Sequence, residues 1–416
     1  MSNIVKISTP KGYYIFDAIG NEFYQIEDKD IFDNITIYDI GYTSEKREVF
    51  NLDKPIKNQV LSEAKTLIIE ITEECNMRCT YCVFDENDGA ERNHSSKRID
   101  QEKIKRNIDE FYRRTGNNDW YIIFYGGEPL INYSTIKQTV SYVNEKYRGA
   151  HFSFTTNGLL LTEEKFGFIV DNNFVVTLSI DGDELTHNKY RLNIGGLGTH
   201  EKIIKNLNSL RNYSESYFQN NVRINCVISS TDDLPAINKY FLYFGISEDS
   251  IRYSGAIKES DAIDRDIFHS AISKIENDTI ANSPVEKSYI NDVLAKIRFR
   301  SVDDKAGEGK KVCVPFSNRT YVRTSGEVQF CERIGNYGTL GDAGYVNRSS
   351  DLFDDFLAFK SSECSSCFAY NFCEMCPASF ISNGGFDLSK AESKCSLFRD
   401  VVRYALYLYV SEQEIC

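Results

Sequence analysis

Short runs of β-branched and aromatic residues recur along the middle of the chain, separated by stretches in which apolar residues return every three to four positions. TLIIEIT (66–72), WYIIFY (120–125), HFSFTT (151–156), FVVTLSI (174–180), VRINCVIS (222–229) and DSIRYS (249–254) read as strands. QEKIKRNIDEFYRR (101–114), STIKQTVSYVNEKY (134–147) and LTEEKFGFIV (161–170) read as helices between them. Six βα units in succession predict an α/β fold with a parallel sheet, either doubly wound or curled into a full or partial barrel. Periodicity does not choose between the two. Before this region, YYIFDAIGNEFYQI (13–26) predicts a hairpin turning at Gly20-Asn21, within a small β-rich N-terminal element over residues 1–64. After Ala256 the rhythm fades into helical stretches, and from Cys313 onward the chain is punctuated by Gly, Ser and Cys, which places a boundary near 300–312.

Composition narrows the class. Of 416 residues, 41% are hydrophobic and 26% charged, and the 25 glycines and 7 prolines follow no repeat. Such a chain is globular, which excludes disordered, collagenous and low-complexity classes. No apolar stretch reaches the roughly 18 residues of a membrane span. The start, MSNIVKISTPKGYYIFDAIG, lacks the charged-then-apolar layout of a signal peptide, so a cytoplasmic protein without a membrane partner is expected. Lys+Arg 48 against Asp+Glu 61 leaves a net charge of −13, which argues against nucleic acid as a partner. A basic peptide segment or a polar small molecule remains compatible.

The 12 cysteines change the picture because they cluster: three at 75, 79 and 82, one at 226, and eight from 313 to 416. In a long chain expected in a reducing compartment, clustered thiols point to metal rather than to disulfides. ITEECNMRCTYCVF (71–84) sets C-x3-C-x2-C just after the first strand of the βα region. Three thiolates can hold three irons of a 4Fe–4S cube and leave the fourth iron open for chemistry. A structural zinc site would need a fourth ligand, for which His94 is the nearest candidate. Cys226, inside a strand, reads as a core thiol.

Three further motifs follow strands: FYGGEP (124–129), TTNG (155–158) and SIDGDELTHNKYR (179–191). Paired glycines let the backbone approach a ligand, and the Glu128 carboxylate can hold an ammonium. Asn157, Ser179 and Asp181 can hydrogen-bond hydroxyl groups, and Arg191 suits a carboxylate. Singly, each has a plainer reading, as turns at Asn157-Gly158 and Asp181-Gly182 and a helix cap at Thr186. Together they fall where parallel α/β folds and barrels assemble their sites.

With the cysteine loop, these motifs resemble the radical S-adenosylmethionine (radical SAM) superfamily over roughly residues 66–255. The resemblance implies a partial (β/α)6 TIM-like barrel and an open iron chelated by the cofactor's amino and carboxylate groups. One-electron cleavage of the cofactor would then yield a 5′-deoxyadenosyl radical that abstracts hydrogen from the substrate. It makes Cys75, Cys79 and Cys82 the catalytic cluster ligands. Tyr81, Gly126, Gly127, Glu128, Asn157, Ser179, Asp181 and Arg191 become cofactor contacts: Tyr81 near the adenine, Gly126 to Glu128 at the amino group and Arg191 at the methionyl carboxylate.

The C-terminal cysteines form a second pattern. Cys313, Gly326 and Cys331 give C-x12-G-x4-C, and Cys364, Cys367, Cys373 and Cys376 give C-x2-C-x5-C-x2-C, followed by Cys395. A zinc ribbon separates its two cysteine pairs more widely than this five-residue gap. The arrangement resembles the SPASM domain, the auxiliary-cluster extension of many radical SAM enzymes, although the last spacing, before Cys376, is two residues where three is usual. It implies an outer cluster on Cys364, Cys367, Cys373 and Cys395. An inner one would use Cys313, Cys331 and Cys376, its fourth position open or filled by Cys416, Cys226 or a non-cysteine residue.

The layout is similar to sactipeptide and ranthipeptide maturases. That likeness implies S-adenosylmethionine, three 4Fe–4S clusters and a thioether crosslink between a cysteine sulfur and a carbon of a ribosomally made precursor peptide. It also implies an electron donor such as flavodoxin or ferredoxin. Residues 1–64 would capture the leader of the precursor by strand addition, 65–305 would form the radical SAM core, and 306–416 the SPASM domain. A carbon–carbon crosslinking maturase, a sulfatase-maturing enzyme that forms formylglycine, and a non-catalytic iron–sulfur carrier are the rival readings. The carrier leaves Gly126 to Glu128, Asn157, Asp181 and Arg191 without a purpose.

Overall fold

The computed structural model describes residues 4–35, 64–82, 94–116, 119–256, 260–277, 279–298 and 319–329, and in the C-terminal part 332, 355, 358–359, 362–364, 366–373, 380–382 and 385–413. The chain divides into two compact units, one of residues 1–55, 289–313 and 349–416, the other of residues 56–288 and 314–348.

In the first unit, strands β1 (Ile4–Thr9), β2 (Gly12–Asp17) and β3 (Glu22–Ile26) form an antiparallel meander. The expected turn is held by Asp17, whose carboxylate accepts the amides of Ile19 and Gly20 at 2.9 Å each. Asn21 takes φ 57°, a left-handed conformation that asparagine tolerates.

The second unit opens with β4 (Thr66–Thr72), the short β5 (Met77–Cys79) and α2 (Gln101–Thr115), which follows the N-terminal helix α1 (Lys29–Asn34) of the first unit in chain order. Then come β6 (Trp120–Gly126), α3 (Tyr133–Lys146), β7 (Ala150–Thr156), α4 (Glu163–Asp171), β8 (Val175–Ser179), α5 (Glu184–Tyr190) and β9 (Arg191–Asn193). The series continues with α6 (His200–Tyr213), α7 (Glu215–Asn221), β10 (Val222–Ile228), α8 (Leu234–Leu242), β11 (Ile251–Gly255), α9 (Ser260–Glu276), α10 (Pro284–Arg298), whose residues from 289 onward belong to the first unit, β12 (Arg319–Val322) and β13 (Val328–Gln329).

Local chemistry explains these elements. The Asp100 carboxylate caps α2 by accepting the amides of Glu102 (2.9 Å) and Lys103 (3.4 Å), and Gly116 ends it with φ 56°. Between the caps, Ile104, Ile108 and Phe111 form the buried stripe. On β6 and β7, Trp120, Ile122, Phe124, Phe152 and Phe154 are buried, and Phe174 packs against Phe154 with ring centroids 5.4 Å apart. Each such side chain contributes about 1.5–3 kcal/mol by leaving water.

The main sheet runs β11-β10-β8-β7-β6-β4-β12-β13, and from β4 to β11 each strand pairs in parallel with its predecessor in the series. A doubly wound sheet reverses order at a switch point, whereas this one winds one way, as a barrel does. The fold is therefore a partial TIM-like barrel. The chain returns to this sheet after residue 305, because β12 pairs in parallel with β4 from Arg319↔Thr66 to Val322↔Ile69. A strand of four residues is too short to announce itself by alternation.

Back in the first unit, helix α11 (Leu388–Gln413) closes the chain. Phe16 of the meander packs against Phe372 (5.6 Å) and Phe23 against Tyr409 (5.2 Å). Asn371 Nδ2 donates to the Ala18 carbonyl at 3.1 Å, across 353 positions of sequence. The N-terminal meander thus folds with the C-terminal segment in one unit, a pairing that leaves no periodic trace in the sequence. Among the described residues no helix is long and apolar enough to cross a membrane.

Candidate functional site

The three-cysteine loop leaves the carboxyl end of β4 and is held by a second ribbon. Strand β5 pairs antiparallel with β9, setting Cys79 opposite Arg191, and Thr80 N donates to the Tyr190 carbonyl at 3.0 Å. Each half-buried thiol has a nitrogen beside it: Asn157 Nδ2 is 3.8 Å from Cys75 Sγ, an Arg191 guanidinium nitrogen 4.0 Å from Cys79 Sγ, and His94 Nε2 3.8 Å from Cys82 Sγ. Burial and the nearby Glu128 carboxylate push the Cys75 thiol up to about 12, and burial pushes Cys79 up to about 11 against the pull of Arg191. Such thiols stay protonated until a metal takes them.

Among the described residues, no three His, Cys, Asp or Glu side chains converge closely enough to hold a single metal ion. Three thiols on one loop, with Asn157 and Arg191 N–H groups near two of the sulfurs, fit the thiolate ligation and sulfur hydrogen bonds of a 4Fe–4S cluster.

The paired glycines serve packing between backbones. Gly126 has φ 139°, and a Cβ there would stand 2.0 Å from the Thr72 carbonyl oxygen; at Gly127 it would stand 2.3 Å from that of Glu74. Gly127 N and Glu128 N donate to the same two carbonyls, at 2.9 and 2.8 Å. Only glycine lets the end of β6 lie this close to the root of the cysteine loop. Glu128, fully buried, directs its carboxylate into the protein. It accepts Leu130 N (3.0 Å), Thr156 Oγ1 (2.7 Å) and Asn157 N (2.8 Å). Burial pushes its pKa up to about 7 against these three bonds. Glu128 thereby fixes the TTNG turn, and Asn157 in turn donates to Asn76 Oδ1 inside the cysteine loop at 2.8 Å.

Asp181 is the hub of the remaining motif. One carboxylate oxygen accepts Arg191 Nε (2.7 Å) and the Tyr81 hydroxyl, and the other accepts Val227 N (2.9 Å). The Arg191 guanidinium also lies over the Tyr81 ring, 5.3 Å from its centroid. Tyr81, Asp181 and Arg191 thus meet beside Cys79, while Ser179 lies just before them at the end of β8. The helix cap expected at Thr186 belongs to Asp183, whose side chain accepts Thr186 N.

His187, of the same motif, had no assigned role, and the structure shows one. Asp181 N donates to His187 Nδ1 (3.3 Å), His187 Nε2 lies 3.1 Å from Thr199 Oγ1, and that hydroxyl donates to the Arg191 carbonyl (2.8 Å). This relay ties both partners of the ion pair together. Burial, with Arg191 and His200 nearby, pushes the imidazole down to about 2, so it stays neutral. The unfolded chain takes up a proton here near pH 6.5 and the folded one does not, so stability falls as pH drops below 6.5. Between pH 6 and 5 the wild type should lose up to about 1.4 kcal/mol more than His187→Gln, read from urea unfolding at each pH. Parallel pH profiles would show that His187 is not held neutral.

In the other unit, Cys364, Cys367, Cys373 and Cys395 line one cavity together with Phe359 and Phe380. Cys313, Cys331, Cys376 and Cys416 lie outside the described residues. Cys226 is fully buried on β10, where burial pushes its thiol well up, as a core thiol requires. Asn76 and Thr199 went unnoticed in the sequence because nothing local marks either as a partner of a residue more than ten positions away or of a backbone carbonyl.

Residues 69–233 match the family described as the Radical SAM superfamily. The cysteine-type anaerobic sulfatase-maturating enzyme of Clostridium novyi (strain NT) is 30% identical over 158 residues, covering 36% of this chain and 41% of that protein. Native anSMEcpe with bound AdoMet and Cp18Cys peptide has a similar structure, with TM-score 0.59 and 19% identity over 84% of this chain and 99% of that one. Streptococcus suis SuiB bound to precursor peptide SuiA follows with TM-score 0.52 and 14% identity, over 92% and 98%. The sequence matches span 34–41% of the length of the first curated relatives. The chain therefore carries a radical SAM domain over residues 69–233.

Proposed function

We propose that this protein is a radical SAM peptide maturase that joins a cysteine sulfur to a carbon of a ribosomally made precursor peptide. The observation that carries the proposal is the gathering of Cys364, Cys367, Cys373 and Cys395 around one cavity, in a chain that already holds a separate three-cysteine loop. With Cys313, Cys331 and Cys376 as further ligands, the chain would hold three 4Fe–4S clusters. When bound, S-adenosylmethionine and its cluster supply hydrogen-atom abstraction, and auxiliary clusters supply an electron acceptor.

The chain's own residues position and shield. Cys75, Cys79 and Cys82 hold the catalytic cluster, and Asn157 and Arg191 orient the loop that carries it. Arg191 takes the methionyl carboxylate, its charge steadied by Asp181, and Tyr81 and Ser179 line the nucleoside side. Gly126 and Gly127 seat the site against β4, and Glu128 holds the TTNG turn in register. Residues 1–64 take the leader of the precursor, residues 65–305 supply the core and residues 306–416 the auxiliary clusters, and a flavodoxin or ferredoxin supplies electrons.

In the net reaction the peptide loses one hydrogen from carbon and one from sulfur as the S–C bond closes. The likeness to a sulfatase-maturating enzyme favours a second reading, oxidation of a cysteine to formylglycine. Mass spectrometry of a cysteine-containing peptide after anaerobic turnover separates them. A product lighter by two hydrogens that resists thiol alkylation supports the thioether, whereas a product that has lost its sulfur and reacts with hydrazide overturns it.

A further inference from the structure

Beside the Asp181 hub runs a row of polar side chains that the fold itself does not use. Register places Ser179 of β8 next to Asn225 of β10, Asn225 next to Arg252 of β11, and Val227 next to Ser254. Their neighbours show which way the row faces. Leu178 sits with Ile203 of α6 around Gly158, and Tyr253 packs against Phe241 of α8 with ring centroids 5.6 Å apart. Alternation therefore turns Ser179, Asn225, Arg252 and Ser254 to the opposite face, the inside of the partial barrel. Neighbouring strands lie about 4.8 Å apart, so Arg252 stands roughly 10 Å along the row from Ser179, within the reach of a substrate residue next to the cofactor.

The Asp181 and Glu128 carboxylates are each held by three groups within the fold. Among the described residues, the side chains of Asn225, Arg252 and Ser254 make no hydrogen bond and no ion pair. Asn225 and Ser254 are half-buried and Arg252 is exposed. An arginine without a carboxylate partner is notable in a chain with 61 acidic and 48 basic residues. A planar guanidinium fits a carboxylate by two parallel hydrogen bonds, and an amide and a hydroxyl fit the alternating N–H and C=O of an extended peptide.

We propose that Asn225, Arg252 and Ser254 form a substrate subsite that binds a peptide carboxylate, with Arg252 as the specificity-determining residue. The proposal rests on the reading of the protein as a peptide maturase. The carboxylate belongs to an acidic side chain or to a peptide C-terminus.

The test uses the full-length enzyme, reconstituted anaerobically and loaded with S-adenosylmethionine. The probes are three fluorescein-labelled cysteine-containing peptides: one with an internal aspartate and an amidated end, one with asparagine and a free C-terminal carboxylate, and one with asparagine and an amidated end. Fluorescence anisotropy should show one carboxylate peptide binding about tenfold or more tightly than the neutral one, in keeping with a charge-assisted hydrogen bond. Which peptide gains names the source of the carboxylate. Arg252→Gln should erase that difference while the neutral peptide and S-adenosylmethionine bind as before. Equal or absent binding of all three by the wild type, or a preference that survives in Arg252→Gln, overturns the subsite. A tenfold loss of S-adenosylmethionine affinity in the variant overturns it too, by assigning Arg252 to the cofactor. The maturase reading fails separately: a carboxylate preference in an enzyme whose peptide product never loses two hydrogens leaves the subsite and removes the thioether.

Discussion

Asp181→Asn should lower the unfolding free energy by about 3–5 kcal/mol and abolish cleavage of S-adenosylmethionine. The Asp181 carboxylate is 1% exposed and the Arg191 side chain 7%, so the pair is shut away from water. Removing the negative charge leaves a buried guanidinium without its counter-ion, which costs far more than the pair itself is worth. The amide also places a donor where Asp181 now accepts from Arg191, Tyr81 and Val227, so at least one of those three groups loses its acceptor. Arg191 would then leave its place beside Cys79, and the methionyl carboxylate would lose its partner. Urea unfolding measures the first effect and release of 5′-deoxyadenosine the second. Asp181→Glu keeps the charge and should recover most of the stability but little of the cleavage, because one added methylene displaces the hub. Wild-type cleavage in either variant would remove Asp181 from the cofactor site.

Replacing Cys75, Cys79 and Cys82 together by alanine should lower iron from about 12 to about 8 per chain and eliminate cofactor cleavage. The thiols sit on a loop tied down by backbone pairing between β5 and β9 and by Arg78, whose guanidinium donates to the Cys75 and Met77 carbonyls. None of these contacts uses a cysteine side chain, so the loop should keep its path and the variant should stay folded. Cys79→Ala alone should also abolish cleavage with the auxiliary clusters intact. Iron and sulfide analysis after anaerobic reconstitution reads the result directly. A wild-type value near 4 with zinc present would return the C-terminal cysteines to a structural role, and cleavage retained by the triple variant would mean that the catalytic loop lies elsewhere.

Much of this architecture is written in local pattern. TLIIEIT announces β4 to the residue, and the apolar stripe between Asp100 and Gly116 announces α2, because alternation, helical periodicity and capping act over a few positions. The C-x3-C-x2-C loop and the strand-end motifs were legible for the same reason, since a cluster or turn needs its residues at close, fixed spacing. The resemblance to the SPASM domain implied a group of Cys364, Cys367, Cys373 and Cys395, and the structure sets these four around one cavity.

Sequence left open whether the sheet was doubly wound or a partial barrel, and it suggested a ligand role for Gly126, Gly127 and Glu128. The tertiary structure decided the winding through the strand order. It showed that the two glycines make room for the Thr72 and Glu74 carbonyls and that the Glu128 carboxylate holds the TTNG turn. It also disclosed the His187 relay, the return of β12 to β4 and the packing of Phe16 on Phe372. Each depends on residues brought together by chain folding over separations at which hydrophobic period and motif spacing carry no signal. What the sequence determined by itself was therefore the set of elements and the chemistry placed at their ends. Only the packed structure decided which of those groups the fold itself consumes, as it does the Glu128 carboxylate on the TTNG turn.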